Sequence, residues 1–353
     1  MKTIAKNSKC VKLKALLVKR IVSGEFSFGE RFIGLHQLCK DYDISYVTAN
    51  KAMKLLVKDG YLQAKNGVGY FVCYVKPDII PPRKIVNFIT GLSDKSSLWD
   101  IVMHGKELFE EDGWHVNLIA GISNDISSCV SAINSPEAYS VLFFTRLNWE
   151  NFIASFNHVA QRVIVIGTLS GNADITSIIS DEYETVLRCI EYFRKNNRKK
   201  TGIITMAPAK EPDMLRVAAW HSIMHSYGAD FKELDQNLLI LNNLQTISYE
   251  EVKKLFVNWL KENGKNIDSV IVPCASSIFF ETCNECGYKI PEDIAVICVA
   301  CSKTAESSEI LPILDNNFFE HFKFALKILN ERFKTGQKRH SSWIFCPPGK
   351  LYL

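Results

Sequence analysis

Eleven cysteines punctuate this 353-residue chain, and four of them form two Cys-x-x-Cys pairs in the stretch "CNECGYKIPEDIAVICVACS". Cys283 with Cys286, and Cys298 with Cys301, have the ligand spacing of a zinc knuckle, and four thiolates would close a tetrahedral structural site. Strand geometry opposes that reading. The run "IAVICVA" has the apolar, β-branched composition of a buried strand, and residues i and i+3 of a strand point to opposite faces. Cys298 and Cys301 can then face one metal only if the chain turns between them. Free cysteine also serves as a small apolar filler. The pairs therefore read as core cysteines, with zinc or redox sensing as the competing reading.

Other reactive constellations are missing. His221 and His225 stand four apart on a predicted helix, but no carboxylate accompanies them. No Ser/His/Asp arrangement or carboxylate pair stands out. No predicted strand runs into a Gly-x-Gly-x-x-Gly or Gly-Lys-Ser/Thr phosphate loop. The expectation is a protein with no catalytic residues, no cofactor and no enzymatic activity.

The composition, 47% apolar and 23% charged, is that of an ordinary globular protein long enough for more than one core. No apolar run reaches the ~20 residues that a membrane span needs. The start, "MKTIAKNSKCVKLK", is basic without the apolar stretch of a signal peptide. An odd number of cysteines without a disulfide framework fits a reducing compartment. A cytoplasmic protein with no membrane partner is expected.

Charge is unevenly spread. Residues 1–76 hold twelve Lys and two Arg against two Glu and three Asp, a net +9, which leaves −5 on the rest of a chain whose total is +4. A small basic head on an acidic body points to a polyanionic partner. Within the head, Leu13, Leu16, Leu17 and Ile21 form an apolar helical stripe that Gly24 ends. "GLHQLCKDYDIS" is a short helix and a turn at Asp43, and Ser45 is a good N-cap for "YVTANKAMKLLVKDG". In that helix Ala49, Ala52, Met53 and Leu56 share the inward face, leaving Ser45, Tyr46, Asn50 and Lys51 outside at its start. "YLQAKNGVGYFVCYV" is a hairpin about Asn66-Gly67. Two helices joined by a tight turn, followed by a hairpin, can place the second helix in a DNA major groove.

The run from Leu13 to Val75 resembles the winged helix-turn-helix head of GntR-type transcription regulators, through "SGEFSFGERF", "ISYVTANKAMKLLVKDGYL" and "NGVGYFV". The resemblance implies a double-stranded DNA operator as partner and a DNA-binding set of His36, Ser45, Tyr46, Thr48, Asn50, Lys51, Lys54, Lys65, Asn66 and Gly67. Members usually carry arginine where this chain has His36, Tyr46 and Asn50. Tyrosine cannot reproduce the arginine fork on guanine, while asparagine pairs with adenine, so an operator unlike the family's usual one is expected.

Pro77, Pro81 and Pro82 mark residues 77–83 as a stiff linker between the head, 1–76, and a body, 84–353. The body alternates strand-like runs ("KIVNFIT", "HVNLIA", "SVLFFT", "RVIVIGT", "TGIITM", "SVIVP", "IAVICVA") with helix-like ones. That alternation predicts an α/β architecture of two parallel-sheet lobes. Residues 84–346 resemble the periplasmic-binding-protein-like effector domain of LacI/GalR-type regulators. The carriers are the first β-α-β unit, Asp181 opening a helix, Arg216 opening "RVAAWHSIMHSYG", and "GYKIPEDIAVI". The resemblance implies a small-molecule effector, a sugar by the family's habit, and a homodimer. Family members often grip sugar with an Asp, an Arg, an Asn-Asp pair and a final Asp. Here Asp181 and Arg216 are present, the pair falls near Ser276-Ser277, and the final Asp falls on Ala300. The candidate effector set is Ser93, Trp99, Phe144, Asp181, Arg216, Trp220, Ser276 and Ser277. With the later anchors gone, a glycoside, an acidic sugar facing Arg216, an aromatic-lined site, and a body that only dimerises all stay open.

Overall fold

The computed structural model describes residues 3–65, 67–74, 83–94, 98–121, 126–143, 159–170, 174–207, 211–242, 248–272, 276–300, 312–335 and 343–352. Helices α1 (Thr3–Val22), α2 (Leu35–Asp41) and α3 (Tyr46–Lys58) are followed by the hairpin β1 (Leu62–Lys65) and β2 (Gly69–Val72). Leu13, Leu17 and Ile21 of α1 meet Ala49, Ala52, Met53 and Leu56 of α3 in one buried cluster. Leu16, expected in the same stripe, is 45% exposed. Cys10 takes its place, because 10, 13, 17 and 21 keep the 3.6-residue period and 16 sits on its flank.

By contact density the chain divides into two compact units. One holds residues 1–166, 170–177 and 322–343, the other 167–169, 178–321 and 344–353. The expected linker lies largely outside the described residues.

The first unit contains the head and a sheet in which β4 (His115–Ile119), β3 (Ile85–Thr90), β5 (Tyr139–Phe143) and β6 (Val163–Ile166) run parallel in that order. One face meets α5 (Ile126–Asn134) through Ile89, Leu142, Val163 and Val165. On the other, Phe88 packs against Phe109 of α4 (Trp99–Glu111) and against Phe322, with ring centroids 5.0 and 5.5 Å away. Gly105 permits this approach: a Cβ there would lie 2.6 Å from the Phe322 ring. Strands β7 (Thr176–Ser180) and β13 (Trp343–Cys346) continue the sheet where the chain passes between units.

The second unit's sheet runs β9 (Leu238–Asn242), β8 (Thr201–Ala207), β10 (Ser269–Val272), β11 (Ala295–Ala300), β12 (Ile313–Asp315), β14 (Leu351–Tyr352). All its pairings are parallel except the last. Its residues alternate between two helical layers. Ile203, Ile271, Ile297 and Val299 join Val186, Ile190 and Phe193 of α6 (Glu182–Lys195) and Trp220 and Ile223 of α7 (Glu211–Ser226). Ile204, Val270, Val272 and Val296 join Phe256 and Leu260 of α9 (Tyr249–Asn263) and Phe279 and Cys283 of α10 (Ser276–Glu285). A short α8 (Phe231–Gln236) precedes β9, and α11 (Phe318–Thr335) closes the helical set described here. The α/β expectation of two parallel-sheet lobes behind a winged head is therefore met. Strands β9, β12, β13 and β14 were not read from the sequence.

His321, on α11, is fully buried. Its Nδ1 lies 3.1 Å from the Asn317 carbonyl and donates to it, leaving Nε2 to accept from Ser180 Oγ at 3.4 Å. Burial pushes the imidazole down to about 4, against the Asn317 carbonyl and Glu320, which favour the proton. A histidine kept neutral in the fold makes the unfolded state the better proton binder between pH 6.5 and 4. Stability is thus held above the unfolded pKa and lost as pH falls through that window. Wild type should lose about 2 kcal/mol more than His321→Gln between pH 7 and pH 5 in denaturant melts.

Candidate functional site

Ser45 accepts from the Thr48 amide at 3.3 Å and caps α3, with its Oγ 2.9 Å from Thr48 Oγ1. With the apolar face of α3 buried, Ser45, Tyr46, Lys51 and Lys54 are exposed and Thr48 and Asn50 half-buried. Val47, which the sequence reading passed over, is 63% exposed on the same end. His36 of α2 is exposed, and its ring lies 5.5 Å from that of Tyr46 at 44°. In the hairpin, Lys65 pairs with Gly69, Gly67 has φ +71°, and the Lys65 ammonium stands 4.6 Å over the Phe71 ring. Asn66 lies outside the described residues.

The cations of the head divide by use. Lys14 is ion-paired with Asp59. Arg20 is held by Glu25 and donates to the Tyr42 hydroxyl at 2.8 Å. Those contacts fasten α1 to the rest of the head. Lys51 and Lys54 make no ion pair among the described residues and stay available to an external anion.

In the second unit Asp181 and Ser277 lie at helix starts, each following a strand. Asp181 follows β7 and caps α6, accepting from the Glu184 amide at 3.0 Å. Arg216 was expected to open its helix. The helix starts earlier, at Glu211, which puts Arg216 in the second turn. There its Nε and Nη2 donate to the two carboxylate oxygens of Glu182 at 2.7 and 3.0 Å, with side-chain exposures of 11% and 4%. Trp220, one turn on, is corrected by the structure. It is fully buried, its rings packed in the α6–α7 core, and its Nε1 donates to the Thr201 carbonyl at 3.1 Å. It offers no surface to a ligand.

Ser277 is exposed at the start of α10, and Ala300 ends β11. In the first unit Ser93 and Trp99 are half-buried, beyond β3 and at the start of α4. Phe144 and the side chain of Ser276 lie outside the described residues. An open groove of about 590 Å³ over Asn87, His115, Asn117 and Ser135 lies at the amino ends of β3 and β4. Ligands in such sheets bind at the opposite, carboxyl ends.

Cys283, Cys286 and Cys298 do not converge: no group of three metal-ligating side chains forms among the described residues. Cys283 is buried on α10 and Cys298 on β11. Cys301 lies outside the described residues. No helix among them is long and apolar enough to cross a membrane.

Residues 10–72 match the model of a family described as bacterial regulatory proteins, gntR family. The head is a gntR-type winged helix-turn-helix. Over 117 residues the chain is 27% identical to the arabinose metabolism transcriptional repressor of Geobacillus stearothermophilus. That match takes in 33% of this chain and 32% of the relative, so it spans about a third of the relative's length.

Among solved structures, the transcriptional regulator CelR in its cellobiose complex aligns with a TM-score of 0.64 at 13% identity, over 88% of this chain and 90% of its own. A LacI-family regulator from Arthrobacter sp. FB24, in complex with lactose, gives 0.59 at 16% identity over 77% and 98%. The LacI-family regulator CCPA from Weissella paramesenteroides, with bound sucrose, gives 0.57 at 13% over 76% and 96%. At these identities the likeness is one of fold, and it gives the body the two-lobed architecture of LacI-type regulators.

Behind the gntR-type head, the residue that sequence reasoning missed is Glu182. An acidic residue beside a capping Asp reads as ordinary helix N-terminal charge, and nothing in its spacing announces a partner thirty-four positions away. Breaking a buried pair from one side strands a charge. Arg216→Ala should therefore destabilise the protein by ~3–5 kcal/mol, and Arg216→Met with Glu182→Leu together by much less, in denaturant melts.

Proposed function

We propose that this chain is a cytoplasmic, dimeric, sequence-specific transcription regulator whose DNA affinity is set by a neutral carbohydrate. The observation that carries the DNA half is the exposed start of α3 in a gntR-type head: a capped helix, buried on one face, presenting Tyr46, Val47, Asn50, Lys51 and Lys54 on the other. In this reading residues 1–76 are the reader, 77–83 the linker and 84–353 the effector-binding and dimerising body. Asn50 forms a bidentate pair with adenine, Val47 meets a thymine methyl, and Lys51, Lys54 and Lys65 contact phosphate. Tyr46, steadied by His36, stands where an arginine would read guanine.

The carbohydrate half is supported by the sugars held by the solved regulators of the same fold and by Asp181 at the lobe edge. Neutrality is supported by the Glu182–Arg216 pair. An acidic sugar would have to compete with a carboxylate already placed on the Nε–Nη2 edge of the guanidinium. Ligand shifts the body between two states, the dimer changes the spacing of the two heads, and operator affinity follows by differential binding to the two states.

Two measurements test this. Selection of DNA sites with the full-length protein should return an inverted repeat with an A·T pair at the Asn50 position. Asn50→Ala should relax that position and cost ~1–3 kcal/mol on the selected site. A selection that returns no motif removes the DNA reading. A thermal-shift panel of neutral and acidic mono- and disaccharides should give a shift for a neutral sugar, worth about 2.7 kcal/mol at 100 times its Kd. A flat panel beside a good operator motif would leave a body that only holds two heads together, which Ser277 and Ala300 at the family's anchor positions would explain.

A further inference from the structure

Arg31 stands outside both the recognition helix and the hairpin, on a segment that runs beside β2 as a third strand. The Gly29 amide donates to the Val72 carbonyl at 2.8 Å, the Val72 amide to the Glu30 carbonyl at 2.9 Å, and the Phe32 amide to the Tyr70 carbonyl at 2.8 Å. Arg31 is paired with Phe71 in this ladder, and the hairpin register sets Gln63 opposite Phe71 and Lys65 opposite Gly69. Side chains alternate across a sheet, so Arg31, Gln63, Lys65, Gly69 and Phe71 share one face. Phe32, Leu62 and Val72 take the other and are buried in the head.

The outward face is built around Arg31. Its Nη2 donates to the Val68 carbonyl at 2.9 Å, and Val68, 51% exposed, is part of the wing tip. Gly69 has φ +132°, and a Cβ there would come within 3.4 Å of Arg31 Nε, so the missing side chain leaves the strip in which the guanidinium lies. The carboxylate next in sequence, Glu30, is turned away to accept from the Ser27 amide at 2.8 Å. Arg31 makes no ion pair among the described residues. The wing thus shows two cations, Arg31 and Lys65, about the Phe71 ring, with no acidic residue among the five that share the face.

We propose that Arg31 is the wing's second DNA-contacting cation. One N–H fixes Val68 and with it the tip, and the remaining donors of the planar fork meet backbone phosphate beside Lys65. The inference rests on the reading of the head as a DNA-binding domain.

The test titrates full-length wild type, Arg31→Ala and Arg31→Lys against a labelled mixed-sequence duplex over a range of salt, with amide hydrogen exchange read at Val68 and Gly69. Arg31→Ala should lower the slope of log K against log salt by ~0.9 and weaken binding roughly fivefold at physiological salt, whatever the sequence. Its tip amides should exchange faster while its melting temperature stays that of wild type. Arg31→Lys should keep the slope, since it keeps the charge, yet exchange faster at the tip. An Arg31→Ala slope equal to wild type overturns the proposal, even with faster exchange, because that is a brace without a phosphate contact. An Arg31→Lys slope that falls with the alanine variant overturns it too. Wild type that binds no duplex removes the DNA reading of the head, and the proposal with it, an outcome distinct from an unaffected variant.

Discussion

A parallel sheet has to be covered on both faces, and the second unit is arranged around that requirement. Its strands send Ile203, Ile271 and Ile297 into one helical layer and Ile204, Val270 and Val296 into the other, so both faces are covered. The consequence for function is positional. Strands that run the same way end at the same edge, and the helices that follow them begin there. Ser277 opens α10 just after β10, and Ala300 ends β11. The ion pair between Glu182 and Arg216 ties the starts of two neighbouring helices together there. Neither charge is tolerable alone at such low exposure, which makes the pair a unit in the fold before it is anything to a ligand.

The same reasoning governs the head at smaller scale. Helix α3 is held by Ala49, Ala52, Met53 and Leu56, and small residues at two of those four positions let it lie close to α1. Burying that face leaves the first turn outward, and Ser45 keeps that turn from fraying because both its Oγ and its carbonyl accept from the Thr48 amide. The net charge of +9 already sets Asp59 and Glu25 against Lys14 and Arg20, which they pair inside the head.

What was legible in the sequence follows from how each signal arises. The helix-turn-helix could be read because its spacing, cap and wing turn are local and reinforce one another. The two lobes could be read because apolar runs alternating with amphipathic ones have few other solutions. Strands β12 and β14 escaped because three- and two-residue segments carry no period, and pairing with neighbours already in place defines them. Trp220 was misplaced for a related reason. A tryptophan looks the same in sequence whether its rings line a cleft or fill a core, and only the Thr201 carbonyl at its Nε1 shows which. Glu182 escaped because its partner is distant in sequence, and Arg31 because its wing strand is joined to β2 by hydrogen bonds rather than by a turn.

The described cysteines of the two pairs sit in apolar surroundings. Thiol reactivity follows the thiolate, which burial in apolar surroundings disfavours. Burial pushes the Cys283 thiol up to about 12, with nearby Cys286 adding to the rise. The Cys189 thiol, buried on α6, is pushed up as well, and there Arg216 opposes the shift without reversing it. Cys283 packs among Phe256, Phe279 and Val296, where its sulfur fills apolar volume and its proton has nowhere favourable to go. Cys283 and Cys298 also fall on different elements, α10 and β11. The turn "GYKIPEDI" between them serves to start a strand, and a strand start needs no metal to hold it.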